Sequence, residues 1–365
     1  MKIAYDAKRF FHNTSGLGNY SRDLVRILSE YFPENEYLLL NKNKSERGQE
    51  IVERSNVNFI ESSKGKFSRQ FKMGKDAQMQ NADIFHGLSG ELPLKWDKTP
   101  IKKVVTIHDL IFMRYPQYYS FFDRKIHFWK FKKAAETADE IIAISEQTKK
   151  DIIHYLKVPE TKIEVIYQGC HHAFKEIQSE EFVQNTKEKF NLPERFTLNV
   201  GTIEERKNLL NIMKAIDKTD IPLVVVGRKT KYFKKIKGFI LKNKMEKQVH
   251  FLEGVSMQEL AAIYKLADIF VYTSLFEGFG IPVIEALFSK TVVITSNTSC
   301  LPEAGGNDSV YVDPKNYLDL QSKIKFLWNS ESERKRRADK GFEFVQKFND
   351  KPIANELMNF YQKLL

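Results

Sequence analysis

Cysteine is almost missing from the 365 residues: only Cys170 and Cys300 occur, far apart. Two distant thiols make neither a disulfide framework nor a closed zinc site, and their scarcity suits a reducing, cytoplasmic compartment. No run of 18 apolar residues occurs, which excludes a membrane-spanning helix. The first residues pass straight into Lys2-Ile3-Ala4-Tyr5, a strand pattern rather than a signal peptide. Asp-x-Asp is absent, so no carboxylate pair of that spacing awaits a divalent ion. The neighbours His171 and His172 have no third ligand spaced near them. Acidic residues number 47 against 58 Lys and Arg, leaving a net charge of +11. That excess favours an anionic partner, whether nucleotide diphosphate, nucleic acid or anionic lipid, without choosing among them.

What is present is length and pattern. The chain is long enough for two domains with a core each. Short β-branched runs alternate with helical patterns, which indicates an α/β fold. The centre of interest is Glu277-Gly278-Phe279-Gly280-Ile281-Pro282-Val283-Ile284-Glu285. The apolar run 269–272 precedes it as a buried strand, and 292–294 follows as another. Gly278 and Gly280 permit a tight turn. Pro282 suits the first turn of a helix. Such a loop lies at the carboxyl ends of parallel strands, where ligands bind, and a helix start there offers free N–H groups to an anion. Glu277 is expected in the loop and Glu285 in the first helical turn, both able to face that crevice. Either acid alone is also what the dipole at a helix start favours.

A second stretch, Gly201-Thr202-Ile203-Glu204-Glu205-Arg206-Lys207-Asn208, follows the strand 196–200 and leads into an apolar helix. Arg206 offers a planar fork for phosphate oxygens and Lys207 a mobile charge. Cations at a helix start oppose its dipole, so an anion is expected between them. In the first half, Gly16 and Gly18 lie between the opening strand and an amphipathic helix, where a G-x-G turn can contact phosphate. The strand pattern 104–110 ends in the pair His108-Asp109, which puts His108 at the ligand edge of its sheet with Asp109 beside it to orient the imidazole or cap the next segment. His86 reads as a satisfied polar residue.

Two glutamates bracketing Gly-Phe-Gly-Ile-Pro, together with Gly201 and the Arg206-Lys207 pair, resemble the signature of the retaining GT-B glycosyltransferases of family four, the glycosyl transferases group 1 type. The likeness runs through nearly the whole chain and leans toward the bacterial mannosyltransferases. It implies two Rossmann-like α/β domains facing across a cleft. The N-terminal acceptor domain is expected over 1–190, the nucleotide-sugar domain over 191–345, and a helix over 346–365 returning to the first domain; 175–189 reads as the linker. By resemblance Glu285 binds the donor ribose and Glu277 the donor sugar, with His108 beside that sugar; His108 and Glu277 are the catalytic pair. Gly16, Gly18, Gly201, Arg206, Lys207, Val255, Gly278, Phe279, Gly280 and Ile281 would complete the donor site. The implied reaction is same-face transfer of a hexose from a nucleotide-diphosphate sugar, GDP-mannose before a UDP-hexose, to a saccharide or lipid-linked saccharide in surface-polysaccharide synthesis. Neither a metal nor another cofactor is implied, and no nucleic acid.

Rival readings are an epimerase or phosphorylase of the same fold, or a basic nucleic-acid-binding protein, although no nucleic-acid motif accompanies the charge. Three stretches, 64–72, 124–133 and 228–247, mix basic and aromatic residues. They are either solvated faces or contacts to an anionic membrane surface, which would make the protein peripheral at the inner face.

Overall fold

The structure, a computed structural model, describes every residue except Ser15 and Asp97. Ser15 heads the Gly16-Leu17-Gly18 stretch and lies outside the described residues. Two compact units emerge, one of Met1–Gly169 with Asp350–Leu365 and one of Cys170–Asn349.

The first unit is a seven-stranded sheet. Its strands are β1 (Lys2–Asp6), β2 (Glu36–Asn41), β3 (Val57–Glu61), β4 (Ile84–Gly87), β5 (Lys102–Ile107), β6 (Glu140–Ala143) and β7 (Ile163–Val165). They lie in the order 3-2-1-4-5-6-7, every pair parallel. Runs such as Val104-Val105-Thr106-Ile107 are buried throughout, as expected of strands covered on both faces. The Gly16–Tyr31 helix covers one face through Leu24, Val25, Ile27 and Leu28. Beside it packs the Asp350–Leu364 helix, whose Ile353, Leu357, Met358 and Tyr361 join the same core. Burying a side chain of that size stabilises by about 1.5–3 kcal/mol. Arg26 on the first of these helices bonds Asp350 on the last at 2.7 Å.

The second unit repeats the plan with β8 (Thr197–Val200), β9 (Leu223–Val226), β10 (Val249–Leu252), β11 (Ile269–Tyr272), β12 (Val293–Ser296) and β13 (Val310–Val312). The order is 10-9-8-11-12-13, again parallel. Strand order therefore reverses between β1 and β4 in one sheet and between β8 and β11 in the other. Those switch points are where doubly wound sheets bind ligands.

Residues 175–189 are not a plain linker. Glu180–Lys189 is a helix, with the Ser179 hydroxyl accepting from the Phe182 N–H. It belongs to the second unit, not the first, because it packs on the Met257–Leu266 helix; Lys189 pairs with Glu259 there and Gln178 bonds the Gln258 carbonyl at 2.8 Å.

Candidate active site

The best-organised polar cluster sits at the switch point of the second sheet. Strand β8 ends in Gly201, at φ +147°, a conformation that side chains disfavour. It also packs tightly: a Cβ on Gly227, after β9, would stand 1.9 Å from the Gly201 carbonyl oxygen. The chain then turns through Glu205–Lys207, and Asn208, left-handed at φ 60°, precedes the Leu209–Ile216 helix. Asn208 Nδ2 donates to the Thr273 carbonyl at 3.0 Å, and the Leu275 N–H to the Arg206 carbonyl at 2.9 Å. The turn after β8 is thereby locked to the loop after β11.

Glu277 in that loop gathers the cluster. Its Oε1 accepts from Lys207 Nζ at 2.7 Å, Arg206 Nη1 at 2.8 Å, the Tyr272 hydroxyl at 2.9 Å and Ser274 Oγ at 2.5 Å. Arg206 also pairs with Glu204 at 2.7 Å. Burial disfavours the Glu277 carboxylate, but Lys207 and Arg206 outweigh it and hold the group at about 2. Burial likewise works against the Arg206 charge and Glu277 wins, so the guanidinium stays firmly protonated. The anion expected between the two cations is thus present in the protein itself. Behind Glu277, its carbonyl accepts from Ser299 Oγ at 2.7 Å and Cys300 Sγ at 3.1 Å. Gly280, at φ +128°, closes the loop; a Cβ there would meet Leu301 Cδ2 at 3.1 Å and Ala304 Cβ at 3.2 Å.

Glu285 stands apart from this cluster. The helix runs Ile281–Phe288, so Glu285 lies one turn in, not in the first turn as expected. Its side chain is buried, and the Tyr264 hydroxyl donates to Oε2 at 3.1 Å. With no cation among the described residues bonded to it, burial pushes the carboxyl up to about 7, and the tyrosine bond only partly offsets this. Phe279 turns its ring inward, edge-on to Phe348 at 5.3 Å, while Gly278 and Ile281 stay partly accessible.

Val255 lies away from the carboxylates, on a cavity of about 530 Å³ at the carboxyl ends of β9 and β10. Residues 226–229 and 252–255 line it, and Lys229 pairs with Glu253 at 2.6 Å on its wall. Sequence reading missed Arg228, Lys229 and Glu253, which the exits of two neighbouring strands could have signalled. It also missed Tyr272, Ser274 and Ser299, whose roles are tertiary.

The first unit holds the other expected residues. Gly16 and Gly18 lie inside the first turn of the Gly16–Tyr31 helix, not in a loop before it. Asn13 Oδ1 accepts from the Gly18 N–H at 3.1 Å, and a Cβ on Gly18 would collide with the Asn13 carbonyl oxygen at 2.0 Å. Gly16 has open space about it. His108 follows β5, with Nε2–H donating to the Leu88 carbonyl at 2.9 Å and the Tyr20 ring edge-on at 4.6 Å. Burial pushes its imidazole down to about 4, so it is neutral near pH 7 and Nδ1 keeps its lone pair. Asp109 caps the next segment, accepting from the Ile111 N–H at 3.0 Å. His86 is fully buried, bonded to Thr106 at 2.7 Å and Tyr361 at 2.6 Å.

Two family models match in tandem: Glycosyltransferase Family 4 over residues 16–174 and Glycosyl transferases group 1 over 180–344. Each half of the chain thus matches a glycosyltransferase family model, and the chain resembles the glycosyl transferases group 1 type. O-antigen chain mannosyltransferase RfbU of Salmonella typhimurium is 30% identical over 226 residues, covering 61% of this chain and 60% of RfbU. Serotype-specific mannosyltransferase WbdA of Escherichia coli is 28% identical over 255 residues, covering 65% of this chain and 30% of WbdA. The chain thus spans less than two thirds of either relative. Among solved structures, Anabaena HepE in complex with UDP-glucose aligns over 100% of both chains at TM-score 0.78 and 14% identity. At that identity the likeness shows the fold alone: two Rossmann-like domains of the GT-B kind. Among the described residues no helix is long and apolar enough to cross a membrane.

Proposed function

We propose that this protein is a glycosyltransferase of the group 1 type that moves a hexose, mannose first, from a nucleotide-diphosphate sugar to a saccharide acceptor, free or lipid-linked, with retention of configuration. The observation that carries the reading is the Arg206–Lys207–Glu277 cluster at the switch point of the second sheet. Arg206 and Lys207 supply positive charge where the diphosphate leaves, so no metal is required. Glu277, held ionised, is too weak a base and too strong an acid to shuttle protons at neutral pH; its charge favours an oxocarbenium-like sugar instead. The departing phosphate then takes the acceptor's proton. Glu285 binds the ribose, Val255 borders the base, and neutral His108 accepts a hydrogen bond from a sugar hydroxyl. The likeness to RfbU, an O-antigen chain mannosyltransferase, and to WbdA, a serotype-specific mannosyltransferase, supports mannose and O-antigen-like polysaccharide synthesis. HepE's complex with UDP-glucose supports a UDP-hexose as the second reading.

Calorimetry and sugar-release assays with GDP-mannose, UDP-glucose and UDP-galactose test this. Binding and turnover of one donor, unaffected by EDTA, is expected. Failure to bind any of them, or activity lost to EDTA and restored by Mn²⁺, contradicts the reading.

A further inference from the structure

Four polar side chains lie end to end inside the first unit. The hydroxyl of Tyr361, on the Asp350–Leu364 helix, bonds His86 Nδ1 at 2.6 Å. His86, on β4, bonds Thr106 Oγ1 on β5 through Nε2 at 2.7 Å. Thr106 Oγ1 in turn bonds the hydroxyl of Tyr20, on the Gly16–Tyr31 helix, at 3.0 Å. The Tyr20 ring then stands edge-on to His108, with centroids 4.6 Å apart and planes at 87°. All four members of the chain are buried, and both tyrosines belong to the apolar core between the sheet and the two helices.

Stability does not account for this arrangement. Taking a hydroxyl or an imidazole out of water costs about what its new bonds return, whereas apolar side chains of the same shape would fill the space without that cost. What a fully paired buried network adds is a single arrangement. Burial pushes the His86 imidazole down to about 3, so near pH 7 it carries one N–H and one lone pair. It must donate to one neighbour and accept from the other, so the sense of one bond sets the sense of the next. The chain thereby fixes the Tyr20 phenol against β5, the strand from which His108 emerges.

His108 has use for such a constraint. Its carbonyl accepts from the Thr148 hydroxyl at 3.1 Å, and Nε2–H donates to the Leu88 carbonyl at 2.9 Å. A bond to one ring nitrogen still lets the imidazole swing about that contact. The edge-on Tyr20 ring is the second restraint. Hydrogen bonds weaken steeply away from linearity, so the swing decides whether the Nδ1 lone pair meets a sugar hydroxyl.

We infer that Tyr20, Thr106, His86 and Tyr361 are positioning residues: they hold the His108 ring at the angle from which Nδ1 meets the donor sugar, and so tie the last helix of the chain to the site. The inference rests on the sugar-facing role proposed above for His108.

The test joins side-chain nitrogen spectra of the full chain, with isotopically labelled histidine, to transfer kinetics. The His108 signal is identified by its loss in His108→Ala, and in the wild type it should be one sharp neutral Nε2–H form. Tyr20→Phe keeps the ring and loses the bond to Thr106. Its His108 signal should shift or broaden and kcat should fall about threefold, with donor KM and nucleoside diphosphate affinity unchanged. Tyr361→Phe should act in the same sense, about twofold. Thr106→Ser, which keeps the hydroxyl, should match wild type, while Thr106→Val, of the same shape without it, should match Tyr20→Phe. In a His108→Ala background none of these changes should cost anything further. A His108 signal that ignores Tyr20→Phe overturns the inference. So does a loss of kcat that persists when His108 is alanine, and so does a Thr106→Ser variant as slow as Thr106→Val. If His108→Ala transfers at the wild-type rate, or no donor is turned over, the sugar-facing role fails and the His108 spectra alone decide the positioning.

Discussion

Glu277 and Glu285 share one loop-and-helix segment and one chemistry, but their surroundings oppose each other. Four donors converge on one oxygen of Glu277, two of them cations, and the carboxyl is held at about 2. Glu285 has a single phenol for company and sits at about 7. Both are buried, so burial alone does not set the charge; the cations do. Near neutral pH, Glu277 is a fixed charge and Glu285 the one that changes. The stability signs follow. Glu277 has a depressed folded value, so its contribution is present above its unfolded value of about 4.5 and disappears as pH falls toward 2. Glu285 has a raised one, so the folded state is favoured at low pH and that advantage is lost as pH rises through about 7.

The sharpest way to break this contrast is Glu277→Gln, which keeps the shape and removes the charge. Turnover should fall about 10²–10³-fold, with nucleoside diphosphate affinity equal or tighter because Arg206 and Lys207 are released. Equal losses of turnover and diphosphate affinity would make Glu277 a mere binding residue. Next in size, Glu285→Gln should stabilise the protein by about 3 kcal/mol at pH 8 and by less than about 1 kcal/mol at pH 5, read by urea unfolding. The same gain at both pH values would mean that Glu285 titrates normally. Arg206→Ala should weaken nucleoside diphosphate binding by about 1.5–3 kcal/mol in calorimetry; unchanged affinity removes Arg206 from the donor site. Smallest is His108→Ala, expected to slow transfer about five- to tenfold without altering nucleotide affinity. Because its imidazole titrates at about 4, His108 should add no inflection to the wild-type rate between pH 5 and 8. A wild-type rate in the variant returns His108 to a packing role.

Much of this was legible before the structure. The apolar runs that become β8 and β11, the glycines after them and the pair Arg206-Lys207 all announce themselves locally. The partner of that pair did not, because Glu277 lies 70 residues further on and only the adjacency of β8 and β11 joins them. Glu285 falls just past the first turn expected for it, because Pro282 marks a helix start only to within a residue or two. The helix Glu180–Lys189 hid in a polar stretch: Thr186 is its only buried residue, so hydrophobic periodicity had nothing to show, although the Ser179 cap and its two following glutamates were there to read. The sequence offers Gly18 as part of a phosphate-contacting turn; it could not show that a Cβ there would also strike the Asn13 carbonyl.

The Asp350–Leu364 helix has a consequence for how the protein is born. Tyr361 closes the core of the first unit and bonds His86 on β4, but it leaves the ribosome only after all of Cys170–Asn349. At about 5–20 residues per second, the first sheet waits on the order of ten seconds or more for that helix, while the second unit is contiguous and can close as soon as it emerges. The half that is synthesised first is therefore the half that matures last, and in the interval it exposes the apolar groove that Ile353, Leu357 and Met358 will fill.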